Sequence, residues 1–580
     1  MYTKLKQVQI IISLLKQFNI KHIVVSPGTR HVAFVHSVEN DPFFKCYSVV
    51  DERSAGYFAL GLSESKDVPV CITCTSATAT SNYLPAIQEA FERQIQLIAL
   101  TADRSRYTRF HMENQCINQV DMYGDYVKHS VDLPEVKNDM DYLYVNRSVN
   151  EALLALNHHT KGPIQINFLE PLSIKILSEF PLDEIPQCRK IDRLDNITDW
   201  HQYADILKNK KRILVLCGGY FDTKKQLTHL LNDFFESFNA VISYDHFSNL
   251  TNNEVFILAP FMAEVLNAKE INDLQPDIVI SYGFKIYSEL RNKFNNKNIE
   301  HWHIDPEGKV NDFINSLKKI FPYTPEVFFS NMVNLSNIKN NKLYYKKWID
   351  RLSKITIPNL PFSNFYVVKR LVSKLPENIN IHLSVLNSIR LTNFFDLPQN
   401  VVCFGNIGAD GIDGAFSAFL GQADSTDRLS LLIIGDLSYL YDLNASMIKM
   451  DNHVRILVIN NFSGAEFHYN MGVERIPTLN KHIAAGHSTR IQETIHLSDM
   501  EYLVATNEVE LENQMKKFLS PHNKPILLEV LTNAISDAEV LRKYYNDNRI
   551  LTTKNKIRIK LENIVGEKVT SFLKRIINKK

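Results

Sequence analysis

LLIIGDLSYLYDLNASMIKMDNHVRILVINNFSGAEF, residues 431–467, is the stretch whose reading decides the fold. An apolar run, 431–434, ends in Gly435-Asp436. A helix-compatible segment follows, and a second apolar run, 456–459, ends in Asn460-Asn461. Two buried parallel strands joined by a crossover helix have this pattern, and both polar ends then fall on the carboxyl edge of the sheet, where ligands bind. That geometry brings Asp436 and Asn461 together. A carboxylate, an amide oxygen and a nearby loop carbonyl form a hard, incomplete oxygen shell. Such a shell suits a Mg²⁺ that completes its octahedron with water and substrate phosphates. Taken alone, Gly-Asp and Asn-Asn after strands are also ordinary turn chemistry, so the rest of the chain has to decide.

Working outward, the same strand-then-helix rhythm recurs. In the first third, HIVVSPG (22–28), YSVVDE (47–52), VPVCITCTS (68–76), IQLIALTAD (95–103) and PIQINFLEP (163–171) read as strands with helical stretches between them. Such alternation predicts a parallel sheet covered on both faces. Its polar ends, Ser26-Pro27-Gly28-Thr29-Arg30, Asp51-Glu52-Arg53, Thr75-Ser76 and Thr101-Ala102-Asp103-Arg104, line one edge. A proline-containing stretch near 181–200 reads as a linker. A second unit follows, with KRILVLCGGY (211–220), NAVISYD (239–245), DIVISYG (277–283) and EHWHIDPEG (300–308). Cys217-Gly218-Gly219 resembles half a nucleotide loop, but no GxGxxG follows, so a strand-to-helix turn is the better reading. A polar stretch over 334–359 leads into a third unit built on residues 381–390, 401–414, the two runs already quoted, and PILLEVL (525–531).

Size and composition agree. Single cores stop growing at roughly 250–300 residues, so 580 residues predict about three domains. Lys+Arg 65 against Asp+Glu 64 leaves a net charge of +1, which gives no reason to expect a nucleic-acid partner and points to small molecules. Cys71-x-x-Cys74 is the only close pair among seven cysteines and has no second pair to complete a zinc site, so buried free thiols are expected. No apolar run reaches the roughly 20 residues of a membrane span, and the amphipathic N-terminus lacks a cleavage site. A reduced, cytoplasmic protein is expected.

SPGTR (26–30), DER (51–53) before a small-residue helix with ALGL (59–62), TSATA (75–79), TADR (101–104) with NQ ten residues after its arginine, NIGADGIDG (406–414), and GDLSYLYDLN (435–444) before NN resemble one family in order and spacing. These motifs are similar to those of the thiamin diphosphate-dependent synthases of menaquinone biosynthesis, the MenD family, over roughly residues 5–545. The resemblance implies an α/β fold of three consecutive doubly wound parallel-sheet domains: a pyrimidine-binding domain at 1–182, a central domain at 200–335 and a diphosphate and metal domain at 360–548. It implies decarboxylation of a 2-oxo acid, 2-oxoglutarate in that family, and transfer of the acyl-anion equivalent to isochorismate. It also implies thiamin diphosphate with Mg²⁺, which Mn²⁺ can replace, and a homodimer or homotetramer whose subunits enclose the cofactor together.

Carried over position by position, the family's pattern makes Glu52 the catalytic glutamate that hydrogen-bonds the pyrimidine N1′. Asp436 and Asn461 match the side-chain metal ligands, and Ser463 stands where the ligand is a main-chain carbonyl. Ile412 falls where an aliphatic side chain supports the bent cofactor; Gly411, Gly435, Leu437, Ser438, Thr75 and Ser76 belong to the cofactor-binding segments. Thr29, Arg30, Arg104, Gln115 and Arg390 match substrate-facing positions, where a guanidinium fork suits a carboxylate. Two other readings stay open: a related carboligase or decarboxylase with a different acceptor, for example in surface-polysaccharide synthesis, and a non-catalytic binding homologue, against which the presence of Glu52 argues.

Departures cluster on the substrate side. The family's Asn-Arg-Gly is here Asn406-Ile407-Gly408; its NSLVVR-like segment is Ser384-Val385-Leu386-Asn387-Ser388-Ile389-Arg390; a central Lys-Arg pair falls near Glu289-Leu290, with Lys285 and Arg291 only neighbours. Beyond Asn461 the usual small and aliphatic residues become Phe462, Ser463, Ala465 and Glu466, and an ionised Glu466 is expected to repel an anionic acceptor. The tail, 554–580, is basic, with Leu561, Ile564, Val565, Val569, Phe572, Leu573 and Ile576 at helical spacing. Such a helix can lie on an anionic membrane surface or pack on the protein body.

Overall fold

A computed structural model describes residues 1–550, apart from 171–179, 222–225, 251–253, 259–263, 287–288, 296–297, 337–339 and 470–471. The basic tail lies outside the described residues. The described residues form two compact units, residues 1–194 with 309–320, and residues 195–308 with those from 321 onward.

The first unit is built on a six-stranded sheet in the spatial order Lys45–Ser48, His22–Val25, Val70–Cys74, Leu97–Asp103, Ile164–Leu169, Ser130–Leu133, with every pairing parallel. Successive strand residues point to opposite faces, and both faces are buried here. Ile23, Cys71, Ile98 and Leu100 share one core with helices Lys6–Gln17, Val32–Glu39 and Asp139–Ala155. Val24, Val70, Ile72, Leu97 and Ala99 share another with helices Glu52–Lys66 and Leu84–Glu92. Continuous apolar runs are what a doubly covered parallel strand needs.

The second unit holds two further parallel sheets. Five strands run in the order Phe256–Leu258, Ala240–Tyr244, Ile213–Cys217, Ile278–Tyr282, Glu300–Ile304. Six more run Val402–Phe404, Asn380–Leu383, Ser430–Gly435, Val454–Asn460, Ile526–Leu531, Glu501–Ala505. The expectation of repeated doubly wound parallel sheets is met.

Several local expectations change. The stretch at 181–200 is packed rather than free: Asp192–Arg193 is a strand that pairs with Lys319 and Ile320. Cys188 and Ile191 are buried, and the Ile191 amide donates to Asn150 Oδ1 at 2.7 Å. The polar stretch at 334–359 carries a helix, Leu343–Leu352, anchored by buried Trp348 and by the Tyr344 hydroxyl donating to the Leu274 carbonyl at 2.7 Å. Gly218 and Gly219 are interlocked with residues 282–285, their amides donating to the Tyr282 and Lys285 carbonyls at 3.0 and 2.7 Å. A Cβ on Gly218 would sit 2.4 Å from the Lys285 oxygen. Those amides are occupied within the protein, as the turn reading requires.

One strand of the last sheet has an unusual fastening. Arg455, fully buried, donates to the carbonyls of Phe518, Asn452, Val454 and Ser520. Phe518 lies in the last turn of helix Glu508–Leu519 and Ser520 is its C-cap, where carbonyls otherwise lack partners and the helix dipole favours a cation. Among the described residues no helix is long and apolar enough to cross a membrane.

Candidate active site

In the first unit the site motifs meet at the carboxyl ends of the strands. Glu52 opens helix Glu52–Lys66, which Asp51 caps by accepting from the Ser54 amide at 2.8 Å. The carboxylate is half-buried, and beneath it Cys74 is fully enclosed. Burial pushes the Cys74 thiol upward, and the charge of Glu52 adds to that shift.

Gly28 presses on Thr75: a Cβ there would lie 2.3 Å from the Thr75 Cβ, so only glycine lets the two loops meet. The Ser76 hydroxyl donates to the Gln115 carbonyl at 2.8 Å, while the Gln115 side chain is exposed. The segments that carry Thr29 and Arg30, Thr75 and Ser76, and Gln115 are thereby fastened into one edge, and the ion pair of Arg104 with Glu113 ties in the fourth.

Arg30 and Arg104 lie close enough to repel. Burial, and next the Arg104 charge, hold the Arg30 pKa below its ordinary value. Arg104 is paired with Glu113, yet the Nε groups of both arginines are buried without a hydrogen-bond partner. A pair of crowded, incompletely matched cations is a site for a carboxylate.

Sequence reasoning missed the supports of this edge. Asn167 has a saturated amide: its Oδ1 accepts from Thr101 and Gln119, and its Nδ2 donates to Asp103 and Asp132, all at 2.8–3.0 Å. Arg109 binds Asp103, and Gln119 also accepts from the Ala77 amide at 2.8 Å. Glu170, buried, accepts from the Ala33 amide at 2.6 Å, and burial pushes its carboxyl up to about 8. The signal for Glu170 was available, an acid directly after an apolar strand; that for Asn167, a polar residue inside one, reads only as a break in the pattern.

In the second unit, parallel pairing sets Gly435 opposite Ile459, so Asp436 and Asn461 leave the sheet at neighbouring ends. Asp436 is buried; its Oδ2 lies 3.2 Å from His487 Nε2 and its Oδ1 accepts from the Leu437 amide at 2.7 Å. Burial raises its pKa, with those contacts pulling the other way. Asn461 Oδ1 accepts from the Ser463 amide at 3.2 Å, and its Nδ2 reaches Asp537 at 3.5 Å. Ser463 uses its hydroxyl on the Ala484 carbonyl, 3.0 Å away, which leaves its own carbonyl as its candidate metal ligand.

Asp537 was not foreseen. It is buried, accepts from the Asn364 amide at 2.9 Å and the Thr532 hydroxyl at 2.8 Å, and burial raises its pKa to about 6, with Asp436 contributing. Two neighbouring buried carboxylates with one histidine contact make a negative site that a cation would relieve. Among the described residues no three His, Cys, Asp or Glu side chains gather as a metal cluster, so such a cation would rely on Asp436, Asn461, a carbonyl and ligand oxygens, as suits Mg²⁺. A Cβ on Gly435 would meet nothing within 4 Å, which leaves open space beside Asp436, and a cavity of about 570 Å³ adjoins Asn461, Ser463 and His487.

Gly411 and half-buried Ile412 lie on the turn before helix Ala415–Asp424, and Leu437 and Ser438 in the helix opened by Asp436. Ile407 is buried. Arg390 and Glu466 correct an expectation: they bind each other in two-point contact, so Glu466 does not stand as an isolated charge.

The description "Thiamine pyrophosphate enzyme, N-terminal TPP binding domain" matches residues 5–122. The chain is 34% identical to the 2-succinyl-5-enolpyruvyl-6-hydroxy-3-cyclohexene-1-carboxylate synthase of Phocaeicola vulgatus, and 33% to that of Bacteroides fragilis. In both cases 94% of this chain and 99% of the relative are covered. It is also similar to benzoylformate decarboxylase from Polynucleobacter necessarius, with 16% identity, a TM-score of 0.46, and coverage of 92% of this chain and 99% of that one.

Proposed function

The chain belongs to the family of 2-succinyl-5-enolpyruvyl-6-hydroxy-3-cyclohexene-1-carboxylate synthases, and from that premise we infer that it decarboxylates 2-oxoglutarate and transfers the succinyl unit to isochorismate. The observation that carries this reading within the molecule is the strand register that sets Asp436 beside Asn461. Asp436, Asn461 and the Ser463 carbonyl would hold Mg²⁺ on the diphosphate, with Gly435, Leu437, Ser438, Gly411 and Ile412 around the cofactor; Thr75 and Ser76 are the cofactor-binding residues of the first unit. When bound, thiamin diphosphate supplies the nucleophilic carbon and the electron sink for decarboxylation.

The chain's own residues do the rest. Glu52, at the head of a capped helix, holds or releases a proton at the pyrimidine nitrogen. Arg30 and Arg104 orient a substrate carboxylate, with Thr29 and Gln115 beside them. In this reading residues 1–182 form the pyrimidine domain, 200–335 the central domain and 360–548 the diphosphate domain, and a dimer or tetramer completes the site. All seven cysteines are unpaired, in keeping with a reducing compartment such as the cytoplasm.

The test is mass spectrometry of products from thiamin diphosphate, Mg²⁺, 2-oxoglutarate and isochorismate, with Glu52→Gln as control. A succinyl adduct that vanishes in the control supports the reading. CO₂ release without adduct would instead favour a different acceptor, the reading to which Ile407 points.

A further inference from the structure

The carboxyl edge of the last sheet carries a strap that no sequence pattern announces. Arg390 lies on the short helix Asn387–Thr392, which follows strand Asn380–Leu383. Glu466 lies on helix Ala465–Tyr469, five residues beyond Asn461. Their two strands flank Ser430–Gly435 on either side, the strand that ends at Asp436. Any contact between Arg390 and Glu466 therefore spans the end of the strand that carries the metal-ligand candidate.

That contact is complete. Arg390 Nη2 donates to Glu466 Oε1 at 3.0 Å and Nη1 to Glu466 Oε2, while Nη1 also donates to Asn387 Oδ1 at 2.8 Å. The guanidinium lies 5.5 Å from the centre of the Tyr469 ring. The two side chains are only 12% and 13% exposed, so water screens the pair weakly. Elsewhere in the same unit Lys285 is paired with Asp410 at 2.8 Å, and Ile407 is buried.

Resting on the carboligase reading above, we propose that Glu466 is a specificity-determining residue that withdraws Arg390 from substrate binding, so that the diphosphate side of the site meets an anionic substrate with a neutral strap. Displacing Glu466 by a substrate carboxylate would strand a buried anion. The strap thus fixes the helix after Asn461 and contributes no attraction for a dianion.

Three variants test this against the full-length protein loaded with thiamin diphosphate and Mg²⁺, using calorimetric binding of 2-oxoglutarate alongside KM and kcat for its decarboxylation. Glu466→Gln keeps the shape but removes the negative charge paired with the guanidinium, and about tenfold tighter binding is expected, equivalent to about 1.4 kcal/mol. Arg390→Met takes the guanidinium away from Glu466 and leaves the carboxylate's charge in place, and binding weakens about tenfold. The double variant Arg390→Met with Glu466→Leu removes both charges and stays within about twofold of the unaltered protein, because a neutral pair is replaced by neutral side chains.

A double variant as weak as Arg390→Met overturns the proposal, since Arg390 would then hold substrate itself. Unchanged binding in Glu466→Gln overturns it as well, as does the lack of any 2-oxoglutarate binding by all the proteins. Failure of the carboligase reading looks different: the unaltered protein binds 2-oxoglutarate, the three variants order as stated, and no CO₂ is released.

Discussion

The sheet of the first unit and the last sheet of the second present their chemistry at the same kind of edge, with opposite charge left unmatched. In the first unit the surplus is positive, with Arg30 and Arg104 crowded together and their Nε groups without partners. In the last sheet the surplus is negative. There Asp436 and Asp537 are neighbours in a buried place, while nearby cations are already engaged, Arg390 by Glu466 and Arg490 by Glu529. One architecture thus prepares an edge for an anion and an edge for a cation. The difference lies in which charges the protein pairs internally, since a buried charge without a partner is costly and its ligand becomes the partner.

The contrast can be broken in order of expected effect. Glu52→Gln removes the proton-holding group of the first edge, and decarboxylation of 2-oxoglutarate should fall about a thousandfold, within the range that acid-base groups contribute. CO₂ release measures this, and full activity would remove Glu52 from the mechanism. On the acidic edge, Asp436→Asn erases one of the two charges that invite a metal. Activation by Mg²⁺ should then need at least about a hundredfold more metal, beyond the effect typical of an outer-shell partner.

Arg30→Lys sharpens the comparison from the cationic side. A point charge cannot reproduce two-point contact with a carboxylate, so KM for the anionic substrate should rise about tenfold with little change in kcat. The smallest effect is on stability. Below about pH 4.5 folded and unfolded chains both hold the Glu170 proton, and between there and about 8 only the folded chain does. Stability from this group therefore falls as pH rises through that window, by up to about 1.4 kcal/mol per unit. Glu170→Gln should lack that slope, so the stability difference between parent and variant should change with pH across the window, and parallel curves would contradict the burial argument.

Much of this was legible in the sequence where the signal was local. Central strands such as Leu97–Asp103 and Val454–Asn460 are covered on both faces and read as continuous apolar runs. Two edge strands escaped: Ser130–Leu133 is mostly half-buried and Glu501–Ala505 alternates, so neither makes such a run. Asp436 and Asn461 were readable because each directly ends a strand. Asp537 and His487 were not, because each belongs to the edge only through chain brought in from elsewhere; Asn167 was not, because a polar residue inside an apolar strand reads only as a break in the pattern. Glu466 illustrates the limit best: its position was noticed, and its charge proved to be paired once Arg390 was found across the strand end.

Arg455 adds a consequence of another kind. It is a charged side chain fastened by four neutral carbonyls, with no counter-ion in the bond. Added salt weakens attraction between opposite charges far more than it weakens hydrogen bonds to enclosed dipoles. The strand that delivers Asn461 is thus held in a way that tolerates swings in ionic strength, and the register at the metal edge should survive brine in which exposed pairs such as Arg93 with Glu64 have let go.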